Sequence, residues 1–81
     1  MRYYFIFGED DAKFSTHFPY PDGWVEVVAT SLDEAIKKFR TQYPDVYEGV
    51  LNCSMFYDES SWASMFPEIR WPNWICQKVI A

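Results

Sequence analysis

The 81-residue chain is long enough for one domain, residues 1–81, and a domain of this size buries only about 60% of the surface its unfolded chain exposes. Seven basic against twelve acidic residues leave a net charge of −5, which repels phosphates, argues against direct nucleic-acid binding and makes a basic protein surface the better partner. No apolar run approaches the ~20 residues needed to cross a bilayer, and Met1 leads into a strand pattern with no basic leader, so a soluble cytoplasmic protein is expected, with no membrane contact.

Arg2 to Phe7, RYYFIF, is apolar or aromatic at nearly every position and is closed by Gly8. So short a run of β-formers predicts a strand covered on both faces, central in its sheet. From Gly8 to Gly23 the pattern is irregular, with the acids Glu9, Asp10 and Asp11, then Phe14, His17 and Phe18, and turn chemistry at Pro19 to Gly23. A long functional loop or a short extra strand around Phe14 to Phe18 both fit it.

Trp24 to Thr30 alternates, placing Val25, Val27 and Ala29 on one face and Trp24, Glu26 and Val28 on the other. Ser31 and Glu34 then form a capping box, S-x-x-E, in which the Ser31 hydroxyl accepts from the Glu34 N–H and the Glu34 carboxylate reaches back to the Ser31 N–H. A helix is predicted from Leu32 to Tyr43. It carries Leu32, Ala35, Ile36, Phe39 and Tyr43 on one stripe, and acid-first pairs Asp33 with Lys37 and Glu34 with Lys38 on its solvent side. Pro44 ends it, because the residue before a proline is pushed out of the α region.

Val50 to Tyr57 alternates again and predicts a third strand, with Leu51, Cys53, Met55 and Tyr57 facing the helix. Asp58 has the character of an N-cap for a short helical turn in which Trp62, Met65 and Phe66 share a face, ended by Pro67. Trp74 to Ile80 predicts a fourth strand, and the neighbouring Pro72 suits either an edge or a strand start. The expected fold class is α+β: a four-stranded antiparallel sheet in the order β-β-α-β-β, with one helix packed on one face and a short helical turn before the last strand.

Chemical motifs are sparse. The single histidine, His17, has no partner at a telling spacing, and neither a Gly-rich phosphate loop nor a metal-ligand spacing is present. Cys53 shares a face with Leu51 and Met55 and is expected as a packed thiol, while Cys76 is ambiguous. The expectation is a non-enzyme without cofactor or metal. Seventeen Phe, Trp and Tyr residues, 21% of the chain, exceed what so small a core readily encloses. They either cover the second face of the sheet or form a partner or self-association interface.

The opening MRYYFIFG, the strand end and helix start A-T-S-x-x-E-A at Ala29 to Ala35, the amphipathic helix, and the acidic and aromatic YDESSW at Tyr57 to Trp62 resemble the small proteins encoded by phages and mobile elements of Gram-positive and gut bacteria, several of which are anti-CRISPR inhibitors. The resemblance spans the first 62 residues and rests on structural motifs. It implies an acidic decoy in the nucleic-acid channel of a CRISPR effector or another basic host protein. The candidate contacts are Glu9, Asp10, Asp11, Asp58 and Glu59, with Trp62 as an anchor. The alternative is a structural or assembly protein of a phage or mobile element acting through self-association, and both a monomer and a homodimer are compatible with the sequence.

Overall fold

A computed structural model describes residues 1–8, 18–20, 23–65 and 76–81. Its elements are β1 (Arg2–Ile6), β2 (Trp24–Val28), α1 (Leu32–Gln42), β3 (Met55–Asp58), α2 (Glu59–Met65) and β4 (Cys76–Ile80). The strands form one sheet in the order β3-β1-β2-β4. As expected, β1 is central; β3 and β4 lie at the edges.

The sheet is mixed, where a purely antiparallel one was expected. β1 pairs antiparallel with β2 and with β3, but β2 and β4 run parallel. The element order is accordingly β-β-α-β-α-β, with α2 a helix of seven residues in place of a helical turn. Parallel strands need a crossover, usually one that contains a helix. Each helix supplies this requirement, because β2, β3 and β4 all run in one direction: α1 lies between β2 and β3 and α2 between β3 and β4.

The core lies between the sheet and α1. Opposite residues of an antiparallel pair share a face, so the pairs Tyr3–Val27 and Phe5–Val25 put these four side chains together. Ala35 and Phe39 of α1 close over them, with Phe7, Ala29 and Ile80 completing the buried cluster. The Phe39 ring stacks on Phe5 with centroids 4.3 Å apart, an arrangement that adds about 0.5–1.5 kcal/mol beyond the area buried. The predicted stripe is thus seated by its middle. Ile36 and Tyr43 are half-buried, while Leu32, at its N-terminal end, remains 38% exposed.

The predicted cap is present in one arm. Glu34 N donates to Ser31 Oγ at 3.2 Å, whereas the Glu34 carboxylate takes a hydrogen bond from Thr30 Oγ1 at 2.8 Å and pairs with Lys38 at 3.2 Å. These partners hold the Glu34 carboxyl below its ordinary range, the Thr30 hydrogen bond contributing most. Lys38 also donates to the Val28 carbonyl at 2.8 Å and so ties α1 to the end of β2.

β3 is shorter than predicted and its faces are exchanged. Residues 51–54 are irregular, and a tight turn bridges Tyr47 and Val50 around Gly49, whose φ of 79° favours glycine. Leu51 and Cys53 still pack against the core from this irregular segment. The strand beyond it is paired so that Phe56 lies opposite Phe5 on the α1 face, while Met55 and Tyr57 lie opposite Ile6 and Tyr4 on the other. A one-residue change of register exchanges the two faces of a strand, and the irregular segment is where that change occurs.

Candidate protein-binding surface

The second face of the sheet is closed by aromatic rings. Trp62 of α2 stacks on Tyr4 at 4.7 Å, lies 4.9 Å from Trp24 and 6.2 Å from Tyr57. Tyr4 meets Trp24 edge to face at 5.7 Å. This arrangement uses much of the aromatic surplus inside the domain, and Trp62 is only 9% exposed. Trp62, expected from sequence as a partner anchor, is buried between α2 and its own sheet. Glu26 sits beside this cluster, 4.0 Å from the Arg2 guanidinium, and burial together with the Glu26 charge pushes the Tyr4 phenol above its ordinary range.

Asp58 and Glu59 stand at the junction of β3 and α2, and both are fixed by backbone donors. Ser61 N donates to Asp58 Oδ1 at 2.8 Å, the N-cap bond expected of this residue, and the Ser61 bonds hold the Asp58 carboxyl below its usual range. Arg2 N donates to Glu59 Oε1 at 2.6 Å. Both side chains are otherwise exposed, and neither has an ion-pair partner among the described residues. Glu48 shares that state, whereas Arg40 is neutralised by Asp45 at 3.1 Å. Glu9, Asp10 and Asp11, the remaining acids proposed for partner contact, lie outside the described residues, as do His17, most of the proposed Phe14 to Phe18 strand, Phe66, Pro67 and the first two residues of the predicted Trp74 to Ile80 strand.

Beside Asp58 the surface is concave and partly apolar. Between α1 and β3 lies a cleft of about 400 Å³ bordered by Ile36, Val50, Leu51 and Phe56. A second, of about 300 Å³, continues past Phe56 to Met1, Leu32 and Asp58. Met55 is 53% and Phe56 39% exposed along β3, at the edge of the sheet. Sequence reasoning missed this surface because it assigned Leu32 to the core stripe and took Met55 as inward-facing. One signal was present: Met55, Phe56 and Tyr57 are consecutive large apolar residues, so alternation could not bury all three on one side.

The thiols are unequal. Burial, with the Asp45 charge, pushes the half-buried Cys53 up to about 11, which leaves it protonated and inert near neutral pH. Cys76 is exposed on β4, and its thiol is raised less, again mainly by desolvation. Among the described residues no cluster of His, Cys, Asp and Glu could hold a metal ion, and no helix is long and apolar enough to cross a membrane. Comparison with protein-family models, curated proteins and solved structures returns no match to this chain.

Proposed function

We propose that the protein is a non-catalytic binding module that occupies a basic, nucleic-acid-handling surface of another protein and excludes its substrate, as an inhibitor of the anti-CRISPR kind would. The observation that carries this proposal is the junction of β3 and α2, where Asp58 and Glu59 are held by backbone donors and Asp58 borders a cleft that also holds Met1, Leu32 and Phe56. Carboxylates fixed before binding lose little side-chain freedom when they meet lysine or arginine, and apolar neighbours add affinity that charge alone does not give. Net charge of −5 steers the encounter with a basic partner. Its test begins with capture of a partner from bacterial lysate, followed by titration of the purified pair and a DNA-cleavage assay if the partner is a nuclease. Exchanging Asp58 and Glu59 for lysine is expected to weaken binding at least tenfold at low salt and to restore cleavage. Unchanged binding refutes the acidic mechanism even with the partner in hand.

A second reading, assembly through self-association, is favoured by a different feature: among the described residues no strand pairs with the outer edge of β3.

A further inference from the structure

We infer that two copies of the chain pair through β3, antiparallel about a two-fold axis at Phe56, to join their sheets into one of eight strands. This inference does not depend on the inhibitor proposal. The sheet has two edges, and they differ in their protection. β4 carries Lys78, and its pairing with β2 is interrupted by a register shift between Trp24 and Val25, both of which discourage further strand pairing. β3, Met55–Asp58, has neither lysine nor proline, is paired to β1 without interruption, and exposes Met55 and Phe56. The clefts flanking Phe56 add Leu32 and Val50 to the same region, so four exposed large apolar residues converge on this edge.

The occupant follows from the order of residues along the strand. A two-fold axis perpendicular to the sheet keeps each face on its own side, so only residues of like parity can oppose each other. With Phe56 on the axis, Phe56 meets its own copy on the α1 face, Met55 meets Tyr57 on the α2 face, and Asp58 falls opposite the uncharged Ser54. No acid opposes an acid, although the chain is strongly acidic. An axis at Tyr57 would set the charged Asp58 against Phe56 and leave Met55 without a partner inside the strand, an axis at Met55 would leave Phe56 facing only Ser54, outside the strand, and an axis at Asp58 would place two carboxylates face to face. One register therefore covers the exposed apolar residues without a charge conflict, which makes the strand complementary to a second copy of itself.

The two subunits still repel at long range because each carries a net charge of −5. Added salt screens that repulsion, so dimerisation tightens with ionic strength, opposite to the trend for a complex with a basic partner. Sedimentation of the full chain at tens of micromolar is expected to show a species of twice 9.7 kDa, favoured by salt. Phe56→Lys and, separately, Met55→Lys should each weaken it at least tenfold while leaving the circular dichroism of the fold unchanged. In a background with Cys53→Ser and Cys76→Ser, Phe56→Cys should oxidise to a disulfide-linked dimer, because strands paired about residue 56 bring its two Cα atoms within roughly 4.5–5.5 Å, whereas Glu48→Cys should not. A wild-type chain that remains monomeric at high salt, or a dimer indifferent to both lysine variants, overturns the inference. So does a monomer whose complex with a captured basic partner is lost in Phe56→Lys, since the edge then belongs to a segment of that partner.

Discussion

Replacing Trp62 by alanine separates its two conceivable roles. The indole is 9% exposed and contacts Tyr4, Trp24 and Tyr57. An aromatic side chain of ~150–250 Å², about nine tenths removed from water at ~25 cal/mol per Å², corresponds to roughly 3–6 kcal/mol, and large-to-small substitutions of buried tryptophan fall at about 3–5 kcal/mol. A domain of this length has a total stability of about 4–12 kcal/mol, so the variant should retain only part of it. Its melting temperature should fall by about 4–8 °C for each kcal/mol lost. Urea denaturation followed by far-ultraviolet circular dichroism measures the loss, with Trp62→Phe as the control, because a phenyl ring keeps one stacking partner for Tyr4 and should lose less than half as much. An exposed anchor would behave otherwise: its removal changes stability by no more than about 0.5 kcal/mol. A Trp62→Ala variant as stable as the parent would refute the packing of α2 described above.

Phe39→Ala should destabilise by about 3–5 kcal/mol in the same denaturation experiment, since its fully buried ring stacks on Phe5, and a nearly neutral result would mean that α1 is not docked through this residue. The Asp58 carboxyl is held below its ordinary range by Ser61, so its contribution is present above the ordinary carboxyl range and is lost as pH falls through the lowered folded value. Asp58→Asn retains an N-cap acceptor but cannot titrate, so it should flatten the acid limb of a stability-against-pH curve while leaving neutral stability close to that of the parent. An unaltered acid limb would count against the cap.

The elements with a complete local signal were legible in the sequence. β1 announced itself by a run with no polar interior, β2 by alternation, and α1 by the Ser31 cap and the Pro44 stop, and their bounds agree to within two residues. Direction was not legible. Alternation says which side chains share a face and nothing about whether a neighbour runs parallel, so the β2–β4 pairing escaped; residues 59–75 separate β3 from β4, a length that fits a crossover better than a hairpin. The faces of β3 were lost for a related reason. Counting by twos from Leu51 carries the wrong parity through the irregular residues 51–54, and it arrives with Met55 on the inside. Of the candidate site, Asp58 was legible as a helix cap, while the burial of Trp62 depended on contacts with Tyr4 and Trp24, far away in sequence.

The closeness of Trp24 to Trp62 gives the domain a built-in optical signal. Two indoles with centroids 4.9 Å apart and planes inclined at 52° are near enough for their excited states to mix and skewed enough for the mixed transitions to rotate light in opposite senses. One chromophore belongs to the sheet and the other to α2. The resulting paired bands in circular dichroism exist only while that helix is seated, since signals of this kind depend on fixed tertiary packing. Detachment of α2, on a partner or on heating, would therefore be visible in the unlabelled protein even where the sheet and α1 remain intact.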